Sequence, residues 1–160
     1  MPGINRAGPT SERGMALLMS LVFLLLLTMI GLSSLQNAIL QEKMSASLTL
    51  NNRAFQAAEA ALRLGENAVR MDDYRLSVCA NPSECAPPAE SAAVSSAGFN
   101  SASAVTWIAT GEGFYGVQNL GASTDAVNLP INTVATLYRV TAVGLAGHSR
   151  SVLESIYAKY

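Results

Sequence analysis

The chain has 160 residues, half of them hydrophobic, with ten Lys and Arg against eleven Asp and Glu. The charges are spread without runs, so no basic face is visible for nucleic acid. Two cysteines and the single His148 are too few for a structural zinc site, which needs four ligands, and neither a metal nor another cofactor is expected.

The chain begins with a polar stretch that is followed by a long apolar one. Residues 1–14 carry Arg6 and Arg13, and positive charge on this flank favours a cytoplasmic N-terminus. From Met15 to Ser34 there is no charged residue and no proline, and as a helix this stretch would be about 30 Å long. It is therefore long enough to cross a bilayer once. A simple signal anchor for a periplasmic domain would also explain the hydrophobicity.

Beyond the apolar block the sequence continues with a helical period. The polar side carries the pairs Glu59–Arg63 and Glu66–Arg70 in the favourable i, i+4 order. We predict one helix that continues to about Arg70, with an apolar stripe that packs on a sheet formed further along the chain. The residues of this stripe are spaced three, four or seven apart: Leu40, Met44, Leu48, Phe55, Ala58, Leu62 and Val69.

Two stretches of this helix are typical of a known family. Ser11-Glu12-Arg13-Gly14-Met15-Ala16-Leu17-Leu18 and Asn52-Arg53-Ala54-Phe55-Gln56-Ala57-Ala58-Glu59 resemble the N-terminal half of PilX-type minor pilins of type IV pili. The resemblance implies that a prepilin peptidase cleaves between Gly14 and Met15 and methylates the new amino group of Met15. It divides the chain into a leader (1–14), a transmembrane and fibre-core helix (15–40) and a head domain (41–160). The protein would cross the inner membrane once before assembly and lie in a cell-surface pilus afterwards.

One position departs from the wider pilin pattern. Major pilins resemble one another in carrying a glutamate at the fifth mature position, which in this chain is Met19. A carboxylate there neutralises the N-terminal ammonium of a neighbouring subunit inside the apolar fibre core, where an unpaired charge is costly. We therefore expect a position at or near the fibre tip, where no earlier subunit lies above. Alternatively, Met19 is one more apolar residue and backbone carbonyls satisfy the amine.

Beyond Arg70 the helical pattern stops at a loop that contains prolines. Cys79 and Cys85 lie in a domain expected outside the cytoplasm, so we predict a local disulfide that shapes this loop. A redox role is the alternative, although it more usually shows C-x-x-C. Residues 89–104 are small and polar, and we predict a flexible surface connection with room for a short helical turn.

The remaining chain is rich in β-branched and aromatic residues. We predict strands over residues 105–110, 114–117, 127–131, 133–143 and 151–158, with a glycine-containing hairpin loop at 144–148. Trp107, Phe114 and Tyr115 would pack in the core, or alternatively form a ligand surface. The expected fold is α+β and type IV pilin-like: a long N-terminal helix with a protruding apolar half and an amphipathic half packed on a small antiparallel sheet.

Three classes of function remain. The first is a minor pilin that primes assembly of a type IV pilus and caps it, with other minor pilins, the major pilin and a possible tip adhesin as partners. The second is a tip-exposed adhesin or ligand-binding pilin that uses the loops from Asp72 to Ala104, and a pseudopilin of a type II secretion system is a related alternative. An enzyme is not expected, because His148 lies in a predicted loop without suitable nucleophile and acid partners.

Overall fold

The computed structural model of the protein describes residues 12–126, 130 and 133–160, and side chains from Gly14 onward. Most of the predicted leader, and the predicted strand at 127–131 apart from Pro130, lie outside the described residues. The elements are helix α1 (Glu12–Arg70), helix α2 (Pro82–Cys85), a 3₁₀ helix (Ala89–Ala92) and strands β1 (Gly98–Asn100), β2 (Val105–Thr110), β3 (Gly113–Ser123), β4 (Ala135–Ala146) and β5 (Ser149–Lys159).

The chain forms two compact units, of which the first ends at Ser45. Its described residues belong to α1, and every side chain from Gly14 to Ser45 is exposed. Thr28 in this unit donates its hydroxyl to the Leu25 carbonyl at 2.8 Å, so its polar group is satisfied within the helix. Among the described residues one helix, α1, is long and apolar enough to cross a membrane.

The second unit, Ala46–Tyr160, contains an antiparallel sheet with strand order β1-β2-β3-β4-β5. The C-terminal part of α1 packs on one face of this sheet, which confirms the predicted α+β, type IV pilin-like fold. The helix side of the sheet holds a core of Val69, Val117, Tyr138 and Val140. Because side chains alternate along a strand, Val143 of β4 points to the opposite face.

The opposite face has a core of its own. There Val143 packs with Val94, Val105 and Trp107, so the sheet is covered on both sides over part of its width. Trp107 is therefore a core residue, as predicted, and Phe114 is half-buried against the same cluster. Tyr115 is half-buried against the helix-side core.

The buried face of α1 consists mainly of small residues. The predicted stripe is correct for Ala58, Leu62 and Val69, but Leu40, Met44, Leu48 and Phe55 are exposed, Phe55 by 48%. The fully buried positions are instead Ala54, Ala58, Ala61 and Val69, with Gly65 between them. Large side chains are excluded here because the backbone of α1 lies directly on β4.

Gly144 of β4 shows how close this approach is. A Cβ atom at residue 144 would overlap the carbonyl oxygen of Ala54 and the backbone nitrogen of Ala58. The prediction of a loop at 144–148 was therefore wrong: Gly144 lies in a strand, paired with Ser151, and its lack of a side chain makes room for the helix. Only Gly147 and His148 form the turn, and Gly147 supplies the φ of +58° that such a tight turn requires.

Polar contacts fix the end of α1 to strand β5. The predicted pair Glu59–Arg63 is present at 2.5 Å on the exposed side. The pair Glu66–Arg70 is not among the described ion pairs, because the Glu66 carboxylate accepts the Ser155 hydroxyl at 2.6 Å instead. Lys159 donates to the carbonyl of Val69 in the last turn of α1 and to that of Met71 just beyond it, which also accepts the N–H of Tyr74.

Tyr74, just beyond the helix, extends the helix-side core. Its ring packs edge-on against Tyr138, with ring centroids 5.8 Å apart. Burial, and then the neighbouring Tyr115 and Tyr138, raise the pKa of Tyr74 above the ordinary value. The Tyr74 hydroxyl therefore stays protonated at neutral pH.

The substitution Gly144→Ala tests the close contact of α1 with β4. We expect the free energy of unfolding of the full chain in detergent to fall by about 3 kcal/mol, because the helix backbone must move away from the sheet. Gly111→Ala is the matched control, since a Cβ atom at residue 111 would meet nothing within 4 Å. Equal unfolding midpoints for the two variants in a denaturant titration would contradict this packing.

Candidate functional site

Two parts of the chain carry the functional predictions, and the first is the start of α1. The side chains of Met15 and Met19 are each 70% exposed, and a side chain at Gly14 would meet nothing within 4 Å. All the apolar side chains up to Leu40 are exposed as well. Leaving a large apolar side chain in water forgoes about 2 kcal/mol of burial free energy. This segment is therefore suited to a membrane or another apolar surface around it.

The second part is the disulfide loop, residues 79–85. Cys79 and Cys85 are joined by a disulfide with their Cα atoms 5.3 Å apart. Within the loop, the Asn81 side chain accepts the backbone N–H of Glu84 at 2.9 Å, and the Glu84 carboxylate accepts the N–H of Ala80 at 2.9 Å. Reciprocal bonds of this kind cap a helix start, here that of α2.

Asn119 of β3 holds the chain where it enters the loop. Its side chain donates to the Leu76 carbonyl at 2.7 Å, and its backbone carbonyl accepts the N–H of Cys79 at 2.9 Å. Its side-chain oxygen accepts the N–H of Gly121 at 2.8 Å, at an irregularity in the β3–β4 register. Asn119 is buried, so these bonds satisfy polar groups that water does not reach.

Gln118 and Arg139 hold the chain where it leaves the loop. The Gln118 amide donates to the carbonyls of Glu84 and Ala86, and the Arg139 guanidinium donates to the carbonyl of Cys85. Arg139 also pairs with Glu154 of β5 at 2.9 Å. Since Gln118 and Asn119 are consecutive on a strand, they point to opposite faces of the sheet. The loop therefore passes around β3 from the helix side to the other face.

The segment after the loop is packed against that other face. Residues 89–104 contain the predicted short helical turn, which is the 3₁₀ helix, and most of them are exposed, as expected for a surface connection, while Gly98–Asn100 form strand β1. The Glu90 carboxylate accepts hydrogen bonds from the Ser103 hydroxyl and the Trp107 indole N–H. Arg150 of β5 donates to the carbonyls of Ser91 and Val94. These bonds hold the first part of the segment, up to Val94, against the sheet, whereas residues 95–99 are exposed.

The sequence analysis did not identify the anchors Gln118, Asn119 and Arg139. The available signal was two adjacent amides within a run of strand-forming residues, where a buried polar side chain needs a partner. Thr141 behaves differently: its hydroxyl is buried and has no hydrogen-bond partner. His148 lies in the β4–β5 turn, as predicted. The described residues contain no group of three His, Cys, Asp or Glu that could hold a metal ion.

A cleft lies beside the disulfide loop, at the edge of β3 that faces away from β4. Its volume is about 290 Å³, and it lies between the loop entrance, the β1–β2 hairpin and β3. Leu76, Val78 and Phe99 border it and are exposed, whereas Val117 lies at its base. Half of the residues that line the cleft are apolar and half are polar, with Glu84 as the one charged residue among them, so its chemistry suits contact with a partner.

Removing both cysteines separates the contribution of the disulfide to the loop conformation from that of the anchors. We expect Cys79→Ser with Cys85→Ser to lower the free energy of unfolding by about 2 kcal/mol. The loop should nevertheless stay on the sheet, because its bonds to Asn119, Gln118 and Arg139 do not involve sulfur. Hydrogen exchange should therefore still show a protected N–H at residue 79 in the double variant. Asn119→Ala keeps the backbone carbonyl that accepts this N–H but removes the side-chain oxygen that accepts the N–H of Gly121, so protection should be lost at residue 121 in that variant. Full exchange at residue 79 without the disulfide would contradict this account.

The comparisons with known proteins concern the first of the two parts. The PilX N-terminal family model matches residues 13–63, about a third of the chain, which includes Gly14, Met15 and Met19. No curated protein matches the chain, and no solved structure matches it. Pilins are structural proteins that interact with other pilus components, and an apolar N-terminal helix fits membrane anchoring. The resemblance found in the sequence is thus confirmed over residues 13–63, where the chain is similar to the N-terminal segment of PilX-type pilins.

Proposed function

We propose that the protein primes assembly of a type IV pilus and caps it, as a near-tip subunit in a complex of minor pilins. The observation that carries this proposal is the exposed apolar segment from Met15 to Leu40, which belongs to the same helix as the packed face of the head. Such a segment suits first a bilayer and then the apolar interior of a fibre. The partners would be other minor pilins, the major pilin and a possible tip adhesin.

Processing would convert the membrane form into the fibre form. A prepilin peptidase would cut between Gly14 and Met15 on the cytoplasmic side and methylate the amino group of Met15. Before this step the chain would cross the inner membrane once, with residues 1–14 in the cytoplasm. The exposure of Gly14 and Met15 supports the proposal, because a protease needs an accessible segment.

Met19 supports the near-tip position. In the mature chain the positive N-terminal amine would lie in apolar surroundings, where a charge without a partner is unfavourable by several kcal/mol. The thioether of Met19 carries no charge and cannot neutralise the amine of a neighbouring subunit. A subunit without this carboxylate is poorly suited to the middle of a fibre and is tolerated at the end, where the pairing is not required.

The second candidate function is ligand binding at the tip, and the exposed apolar side chains around the cleft beside the disulfide loop favour it. Leu76, Val78 and Phe99 are exposed around this cleft, and apolar side chains left exposed as a group often mark an interaction site. In that case the loop would bind a surface receptor, and the fibre would assemble without this chain. A pseudopilin of a type II secretion system would use the same helix, and surface pili would then not depend on it.

The test is a deletion strain that is complemented with tagged chains. Priming and capping predict that deletion strongly lowers the number of surface fibres and that gold label on the native chain lies at fibre ends. The variant Met19→Glu should restore fibres and move part of the label into the shaft, because the new carboxylate pairs with a neighbouring amine. Met19→Leu is the matched control and should keep the label at the ends.

The alternatives give different results in the same strains. A normal number of fibres with lost attachment would favour the ligand-binding function. Normal fibres with lost protein secretion would favour the pseudopilin function. Label along the whole shaft in the native strain would contradict the near-tip position while leaving the pilin assignment intact.

A further inference from the structure

A second cavity, of about 330 Å³, lies between the 3₁₀ helix and strands β1 and β2. Glu90 and Trp107 line it together with residues 93–100, all of which the structure describes. Glu90 is the one charged residue among them. Residues 95–99 are exposed, so the cavity opens to solvent. It is therefore an accessible site with a single negative charge.

Two hydrogen bonds hold the Glu90 carboxylate in place at this cavity. Its Oε1 atom accepts the Ser103 hydroxyl and also the indole N–H of Trp107, the latter at 3.3 Å. Both donors belong to buried residues, so the position of the carboxylate is well defined. The other oxygen, Oε2, accepts no hydrogen bond from the part of the chain that the structure describes. Glu90 thus keeps one oxygen for a ligand.

The charge of Glu90 has no counter-ion within the described residues. Neither of the two described ion pairs includes it. Arg150 contacts the same segment, but its guanidinium donates to the backbone carbonyls of Ser91 and Val94, and it does not line the cavity. A half-buried carboxylate without a counter-ion has lost hydration and gained no partner charge in return. The cavity therefore favours a cation.

The single free oxygen limits the kind of cation. A metal ion such as Ca²⁺ needs about six or more oxygen ligands, whereas this cavity has one carboxylate. A guanidinium binds a carboxylate best as a fork that uses both oxygens, and Oε1 of Glu90 is already engaged. An ammonium is a compact charge that one oxygen can pair. The geometry therefore suits the side chain of a lysine.

We propose that the cavity receives a lysine side chain of a partner protein, with the ammonium paired to Oε2 of Glu90. One ion pair at a partly exposed site is weak, so a free amine would bind poorly at low concentration. The pair is therefore useful as one element of a larger contact, in which the partner also covers the exposed residues 95–99. Binding at Glu90 does not depend on fibre assembly.

Trp107 supplies the readout for a binding experiment. It is the single tryptophan of the chain, and its indole N–H is bonded to Glu90. The full chain in detergent micelles is titrated with Nα-acetyl-lysine amide at constant ionic strength, and the indole N–H signal is followed by NMR. We expect a saturable shift. The neutral ligand Nα,Nε-diacetyl-lysine amide has the same stem without the charge and should leave the signal in place.

A charge-removing variant separates ligand binding from the structural role of Glu90. Glu90→Gln keeps an oxygen that accepts the bonds from Ser103 and Trp107, but it has no charge. We expect it to bind lysine amide at least about tenfold more weakly. Glu112→Gln is the matched control, because Glu112 is an exposed acid outside the cavity. It should bind like the native chain.

A second variant tests the site without changing Glu90. Ser96 is exposed at the rim of the cavity, so Ser96→Lys places an ammonium within reach of the carboxylate. We expect it to block binding of lysine amide. Ser101→Lys is the matched control, since Ser101 is exposed and does not line the cavity. It should bind lysine amide like the native chain.

The partner is tested with a carbodiimide, which joins a carboxylate to an amine in direct contact. We expect peptide mass spectrometry of treated cells to find Glu90 joined to a lysine of another protein, and no such link in Glu90→Gln. A shift that the neutral ligand or Ca²⁺ reproduces, or equal binding by Glu90→Gln and Glu112→Gln, would overturn the cation site. Tighter binding of arginine amide would overturn the choice of lysine, and binding without a link from Glu90 would overturn the protein partner. The titration uses purified protein, so its result is independent of the proposed pilus function.

Discussion

The close contact between α1 and strand β4 sets the arrangement of the head. Ala54 and Ala58 lie against Gly144, where even a methyl group would overlap the helix backbone, and Gly65 lies against Val140 and Tyr115. Because the helix is this near, large side chains must lie beside the contact and not within it. Val69, Tyr74, Tyr138 and Tyr157 accordingly pack around the C-terminal end of the helix. The contact has a mainly geometric basis, in which small residues let two backbones approach and larger neighbours supply the buried apolar area.

The other face of the sheet is organised by polar anchors. Gln118 and Arg139 bind backbone carbonyls of the disulfide loop and of Ala86, and Glu90 binds Ser103 and Trp107, so these bonds hold the disulfide loop and the 3₁₀ helix against the sheet. Buried side chains that bind backbone groups fix one conformation, because any other leaves a polar group without a partner. The loop and its cleft are thus presented to a partner in a defined shape, which suits a protein that works by contact.

The sequence predicts the helix, the fold class and the limits of β2, since these follow from patterns that are local in the chain. It does not predict which stripe of α1 is buried: Leu48 and Phe55 are the more hydrophobic residues, yet the distance between the backbones favours Ala54 and Ala61. Gly144 was misread as part of a loop for the same reason, because a glycine that permits a close approach looks like a glycine that permits a turn. The predicted Glu66–Arg70 pair is replaced by a bond between Glu66 and Ser155, which comes from a distant part of the sequence. Anchors such as Asn119 depend on contacts that no local pattern contains.

The account depends most on the fate of the exposed apolar segment that begins at Met15. A helix with this composition fits membrane anchoring, and the PilX N-terminal match covers its start. The most direct measurement is mass spectrometry of the intact protein and its N-terminal peptide, from membranes and from sheared surface fibres. The account predicts that fibres contain a chain that begins at Met15 and carries an added methyl group. A chain that begins at Met1 in every fraction, or that is absent from the fibres, would contradict it.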